Sequence, residues 1–323
     1  MDIRYLENWK FSLGAHTDPW APDFDDGSWE DVVVPHDWAV AFPFSRDHSS
    51  GTGYLPGGTG WYRTVFSAAP GEDRRVFVKF DGVYKNSQVW CNGYYLGRRP
   101  SGYTGFRYDI SHCVRPGNTN VIAVKVSHED IADSRWYTGS GIYGRVSLQS
   151  HGPVYVEPES LRVENETPEN GAALVRIRGN VVHGGREAAV VLARAILSGG
   201  GERLCAETTL SHVEGETPFC LELPLAAPRL WSAENPNLYR LNLELHAGGV
   251  PVYAAPPLNI GIRDFHFDPD RGFFINGKNE KIKGVCIHHD AGCLGAAVWH
   301  DVWRRRIGKL KDMGCNAIRM SHN

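Results

Sequence analysis

From Trp9 to about residue 150 the chain is written in short apolar or alternating runs broken by turn residues, a pattern that excludes most helical architectures. Val76 to Phe80, Ser87 to Trp90 and Val121 to Val126 are examples. Runs of this length bounded by Gly, Pro, Asn and Asp read as strands, and several at regular spacing read as a β-sandwich. Cys91-Asn92-Gly93-Tyr94 carries an Asn-Gly hairpin signal, and Arg115-Pro116-Gly117-Asn118 a Pro-Gly turn. Composition agrees, since 36 Gly and 19 Pro in 323 residues exceed the roughly 12 per cent that these residues make up on average. The stretch from Phe42 to Gly60 has little periodicity and reads as a long surface loop. Its glycines are not followed by Lys-Ser or Lys-Thr and a helix, so it is not a phosphate cradle.

A second all-β segment runs from about Pro153 to Ile262, with apolar or alternating runs at Ala173 to Ile177, Ala188 to Leu197, Phe219 to Leu223 and Leu238 to Leu245. About 110 residues of this kind fit an immunoglobulin-like sandwich. Cys205 and Cys220 lie too close in sequence, with no Trp between them, to serve as its inter-sheet disulfide. After Gly261 the pattern changes. Phe273 to Ile275 enters an Asn276-Gly277 turn, and Lys281 to Ile287 reads as a strand suited to burial on both faces. Trp299, Trp303, Ile307 and Leu310 then recur with helical spacing, Gly314 is placed to end the helix, and Cys315 to Met320 reads as another strand. Together these form a β-α-β unit of parallel-sheet type.

Several function classes are disfavoured. With 34 Lys and Arg against 37 Asp and Glu, and no basic run longer than Arg304-Arg305-Arg306, binding to nucleic acid or a membrane surface by bulk charge is not expected. No apolar run approaches the roughly 18 residues needed to span a bilayer, and the start, MDIRYLENWKF, is not a secretory signal. A cytoplasmic protein is therefore expected, and the Asn165-Glu166-Thr167 sequon carries little meaning there. Seven cysteines, an odd number without C-x-x-C, read as mostly buried free thiols. Gly139-Ser140-Gly141 lacks the spacing of a nucleophile elbow.

Candidate chemistry gathers at the ends of the two parallel-type strands. Lys281 to Ile287 leads at once to His288-His289-Asp290, and the strand from Cys315 carries Arg319 and runs into Ser321-His322-Asn323. In β/α barrels such positions share one rim, although each could equally satisfy loop carbonyls. Adjacent histidines on an extended chain point in opposite directions and no third ligand follows at standard spacing, so a metal site is not expected. No cofactor is called for. Only Asp290 stands just beyond a strand end in this portion, whereas glycoside hydrolysis ordinarily needs two facing carboxylates.

At these residues the sequence resembles glycoside hydrolase family 2, the β-galactosidase and β-glucuronidase group, over essentially its full length. Val34-Pro35-His36-Asp37-Trp38 and Leu55 to Arg63 (LPGGTGWYR) resemble the opening of the family's jelly-roll sugar-binding domain. Ser134-Arg135-Trp136-Tyr137 with Gly141 to Val146 (GIYGRV) resembles its end. Leu230 to Tyr239 (LWSAENPNLY) is similar to the closing strands of the immunoglobulin-like domain, and Lys283 to Asp290 (KGVCIHHD) to the first barrel strand. The resemblance implies a jelly roll over residues 1–152, an immunoglobulin-like sandwich over 153–262, and over 263–323 the start of a (β/α)8 barrel.

The same resemblance implies retaining hydrolysis of β-glycosides by two glutamates on later barrel strands, neither of which lies in this chain. The residues it carries over as sugar contacts are Arg319, His322 and Asn323, with Asp133 of the first domain reaching the glycone. Many members have Asn-Arg-His-Glu where this chain has Cys286-Ile287-His288-His289. That departure favours a β-galactosidase-like subgroup and leaves the parts of His288 and Asp290 open. A β-glucuronidase, a β-mannosidase, or a non-catalytic carbohydrate-binding or assembly module are the alternatives, and family members commonly pair through these β-domains. The barrel normally needs roughly 250 residues and about 60 are present. A truncated tail is therefore expected to be partly uncovered, and to be displaced, disordered or covered by a neighbouring copy.

Overall fold

The structure, a computed structural model, describes residues 1–68, 74–129, 134–167, 171–184 and 189–320. About half of the residues are in strands and 9% in helices. The chain divides into two compact units, one of Asp2–Ser150 with Gly284–Asn323, the other of His151–Lys283 with Met1.

In the first unit ten strands make a sandwich: β1 (Asp2–Tyr5), β2 (Asn8–Leu13), β3 (Glu30–Val33), β4 (Gly58–Ser67), β5 (Arg75–Phe80), β6 (Ser87–Cys91), β7 (Tyr94–Arg99), β8 (Phe106–Asp109), β9 (Thr119–His128) and β10 (Val146–His151). One sheet runs β3-β2-β4-β9-β6-β7 and the other β1-β10-β5-β8. Strand alternation decides which side chains meet between them. Phe11, Tyr62, Phe66, Val78, Phe80, Val89, Ile122 and Val124 fill the core, each at most 8% exposed. The intervening residues of β4, β9 and β6, among them Trp61, Lys125 and Trp90, take the outer face. The Asn92-Gly93 turn joins β6 to β7 as the sequence predicts.

His36 sits under this core with Nδ1 2.8 Å from the Tyr62 hydroxyl and its ring edge-on to Phe11. Burial lowers its pKa to about 4. The neutral ring is thus favoured by folding, so its contribution is full above the ordinary value near 6.5 and is lost as pH falls from there to about 4. At about 1.4 kcal/mol per pKa unit this amounts to about 3 kcal/mol. Denaturant unfolding between pH 7 and pH 4 should show that loss, and His36→Phe should flatten the profile; an unchanged slope in the variant rules His36 out as its source.

The second unit is the immunoglobulin-like sandwich. Ala173–His183 pairs with Val154–Val156, Arg162–Glu166 and Gly215–Leu225, while Ala189–Gly199 pairs with Glu202–Val213 and Tyr239–Ala247. Val175, Ile177, Val191, Leu221, Leu223, Leu241 and Leu245 face inward and are at most 3% exposed. Arg176 lies across two strands with Glu166 and Glu222 as partners. A three-stranded sheet of Phe265–Asp268, Gly272–Ile275 and Lys278–Asn279 follows, turned at Asn276-Gly277.

Within the first unit, Gly284–Ile287 and Ala317–Met320 pair in parallel on either side of the helix His300–Asp312, which is the expected β-α-β unit. Three expectations need correction. The first strand is shorter than Lys281 to Ile287 and half exposed rather than buried on both faces. The segment is packed on the sandwich, not displaced, because its first loop is hydrogen-bonded there as described below. It is nonetheless partly uncovered, since no helix residue is buried and Trp299 and Ile307 are 47% and 43% exposed. The cysteines are free, but only Cys91 and Cys113 are buried; Cys205, Cys220, Cys286 and Cys293 are exposed, having fallen on outward positions of strands or in a loop. No helix among the described residues is long and apolar enough to cross a membrane.

Candidate functional site

The sandwich end that carries Val34 to Trp38 and Trp136 to Ile142 meets the loop that follows Gly284–Ile287. Asp37 is the centre of this meeting, 3% exposed. Its Oδ1 accepts from the backbone N–H groups of Ala39 (3.2 Å) and Ser140 (3.0 Å). Its Oδ2 accepts from the Tyr137 hydroxyl (2.7 Å) and the Ala296 N–H (2.9 Å). Burial pushes the Asp37 carboxyl up from the usual range, while the four donors pull it down. Two glycines let the chains approach. A Cβ on Gly295, whose φ is +60°, would run into the Asp37 carboxylate, and one on Gly139 would run into Ala296. Tyr137 is held protonated, its pKa pushed up by burial and then by the charges of Asp37 and Asp290.

Beside this clamp lies an aromatic rim. The His289 Nε2 is 3.0 Å from the Thr138 carbonyl, so Nε2 carries the proton. Its ring packs edge-on to Tyr103 and tilted to Tyr143, both at 5.5 Å. His288 lies against Trp136 at 5.7 Å. The Trp136 Nε1–H donates to the Tyr103 hydroxyl (3.0 Å), and the Tyr143 hydroxyl donates to the Gly102 carbonyl (2.7 Å). Burial raises the Tyr143 pKa to about 12, keeping that donor protonated. The Asp290 carbonyl accepts from Arg306 at 2.6 Å.

Of the residues singled out from the sequence, His288 and Asp290 are brought together here, half-buried at the strand end. Arg319 stands one strand away, opposite Cys286 in the parallel register, with Nη1 3.7 Å from the Cys286 Sγ. Asp133, His322 and Asn323 lie outside the described residues. Asp37, Trp136 and Tyr137 belong to motifs of the family resemblance, which assigns them no part in the site. The signal was available: a lone Asp between His36 and Trp38 in an otherwise apolar run is a candidate for a buried, fully bonded carboxylate.

Chemically the rim is suited to binding. Flat rings pack against the C–H face of a pyranose, and imidazole and carboxylate bond its hydroxyls. It is not suited to hydrolysis alone, which takes two carboxylates about 5–5.5 Å apart for retention. The Asp290 Oδ2 accepts from the Gly292 N–H at 3.4 Å, whereas each oxygen of Asp37 accepts two hydrogen bonds. Among the described residues no three His, Cys, Asp or Glu side chains group as a metal site would need.

Comparison with known proteins gives the family. The family described as "Glycosyl hydrolases family 2, sugar binding domain" matches residues 8–152, and "Glycosyl hydrolases family 2" matches 154–263. The chain is 39% identical to the β-galactosidase BoGH2A of Bacteroides ovatus over 98% of its own length and 38% of that protein's. It is 26% identical to a β-glucuronidase of Bacteroides fragilis, over 99% of the chain and 46% of the relative. A crystal structure of a glycosyl hydrolase family 2 member from Bacteroides cellulosilyticus superposes with a TM-score of 0.94 at 32% identity, covering the whole chain and 43% of that protein. The chain thus spans less than half the length of these relatives.

Proposed function

This chain belongs to glycoside hydrolase family 2, and from that premise we propose that it is the N-terminal part of a retaining β-glycosidase, a β-galactosidase before a β-glucuronidase or β-mannosidase. Residues 1–152 and 153–262 are its two β-domains, and 263–323 opens a (β/α)8 barrel whose later strands carry both glutamates. The observation that carries the reading is the rim itself: a first-domain loop with Trp136 is bonded to the strand end that presents His288 and Asp290. Support for galactose comes from the 39% identity to a β-galactosidase. In this reading Arg319, His322, Asn323, His288, Asp290 and Asp133 contact the sugar, and Trp136 is the ring on which it rests.

The purified parent protein is expected to cleave an aryl β-galactoside faster than the matching β-glucuronide. The 323-residue chain is expected to cleave neither, since its rim offers no facing carboxylate pair. A parent inactive on every aryl β-glycoside with its carboxylates intact ends the proposal, and a preference for glucuronide moves it to the second substrate class. In the active parent, Trp136→Ala should raise KM about tenfold, the loss of roughly 1.4 kcal/mol of stacking, with a smaller change in kcat. An unchanged KM removes Trp136 from the site.

A further inference from the structure

Two of the seven cysteines belong to the core of the first unit, and the proposed function uses neither. Cys91 ends β6 in the six-stranded sheet, opposite Ile122 of β9. Cys113 lies in the turn that follows β8, the edge strand of the four-stranded sheet. The two stand 22 positions apart in sequence and come from opposite sheets. They are 0% and 4% exposed, within one hydrophobic cluster. Hydrogen bonds fix this placement. Asn92, the residue after Cys91, donates from Nδ2 to the Cys113 carbonyl and to the Asn120 Oδ1, both at 2.8 Å, and its Oδ1 accepts from the Val121 N–H at 2.9 Å. The Cys113 N–H donates to the Ile110 carbonyl at 3.0 Å, and the Cys113 Sγ lies 3.3 Å from the same oxygen. The neighbour of one cysteine thus pins the backbone of the other.

The two side chains also hydrogen-bond to each other. That bond pulls the Cys113 thiol down and pushes the Cys91 thiol up, so Cys113 ionises first, with the Cys91 S–H as its donor. Packing alone asks only for two small apolar side chains here; two sulfurs facing each other between the sheets add a reaction. We propose that Cys91 and Cys113 are a dithiol that closes to a disulfide in the folded first unit, a covalent staple between its two sheets. The oxidant is a small-molecule disulfide such as oxidised glutathione. The Cys113 thiolate attacks one glutathione sulfur and expels the other as a thiolate, which takes up the proton that Cys113 lost. Cys91 then gives up its proton and attacks the Cys113 sulfur, expelling the second glutathione. Two cysteine thiols lose two electrons and two protons, and one glutathione disulfide becomes two thiols. Because both sulfurs are covered, the exchange takes place as the chain folds or when the turn after β8 opens. The pair does not depend on the glycosidase reading.

Refolding of the 323-residue chain from urea, in oxidised glutathione and in parallel in reduced glutathione, tests it. Remaining thiols are then alkylated without reduction and the digest is read by mass spectrometry. The expected result is a Cys91–Cys113 crosslinked peptide, two hydrogens lighter than its parts, from the oxidised sample alone. The crosslinked chain should have a thermal midpoint about 5 °C or more above that of the reduced chain. Cys91→Ala should lose both the crosslink and the rise, and Cys113→Ala serves as the control where Cys91→Ala fails to fold. Recovery of both thiols in alkylated form overturns the proposal. So does linkage of either to glutathione or to a different cysteine, a crosslinked chain that melts no higher than the reduced one, or a rise that survives in the alanine variant.

Discussion

Asp37→Ala is expected to destabilise the first unit by about 4 kcal/mol. The substitution removes one acceptor group and leaves three backbone N–H groups and the Tyr137 hydroxyl facing a void. Each buried unsatisfied polar group costs about 1–3 kcal/mol, and water entering the gap recovers part of it. Nine of the ten tryptophans lie in this unit, only Trp231 in the other, so tryptophan fluorescence during urea unfolding reports on it almost alone. Asp37→Asn keeps the volume but turns one oxygen into a donor that faces two donors, so it should recover little. Gly295→Ala should destabilise on its own, and the double variant Asp37→Ala, Gly295→Ala should cost less than the two singles together, since the added methyl then fills the space of the lost carboxylate. A midpoint for Asp37→Ala equivalent to less than about 0.5 kcal/mol of change would mean that the four bonds do not hold the loop.

The second large effect is expected at Arg63, 3% exposed on the outer side of β4. Its Nε pairs with Asp26 at 2.7 Å, its Nη1 donates to the Pro19 and Ala21 carbonyls, its Nη2 donates to the Phe24 carbonyl, and its guanidinium lies 5.3 Å from the Phe24 ring centroid. One side chain thus replaces the strand or helix partners that the 18–26 backbone otherwise lacks. Arg63→Met retains the stem and deletes the fork, taking the donor from the Pro19 and Phe24 carbonyls and from a half-shielded carboxylate, and leaving the Ala21 carbonyl only its bond from the Phe24 N–H. A loss of about 3 kcal/mol is expected, with new protease cleavage within residues 18–26 under native conditions. Lys at this position should rescue little, because one ammonium cannot reach carbonyls spread along the loop as a planar fork does. An intact loop in Arg63→Met under limited proteolysis would show that the apolar contacts of Phe24 and Trp29 suffice.

Much of this fold was legible because its periods are clean. Alternation in β9 and in Ala189–Gly199 marks strands whichever partners they take, and Asn92-Gly93 and Asn276-Gly277 mark hairpins by local backbone preference. The β-α-β unit was legible from the tryptophan spacing. What was not legible depends on contacts distant in sequence. The apolar residues of Glu202–Val213 are sparse, and it becomes a strand by pairing with Ala189–Gly199. The strand before His288 is only Gly284–Ile287, because its parallel pairing with Ala317–Met320 begins at Gly284. At the site, His288 and Asp290 could be placed from strand ends, yet nothing local says that Asp37 waits for the amide of Ala296.

The Asp37–Ala296 bond has a consequence for the order of events during synthesis. Its partners are 259 residues apart. At about 5–20 residues per second, the sandwich that begins with β1 and closes with β10 is complete on the ribosome on the order of 10–30 s before the last donor to its buried carboxylate is made. The nascent jelly roll must therefore hold Asp37 one bond short while the immunoglobulin-like unit is being translated, its clamp open until the first loop beyond Ile287 emerges.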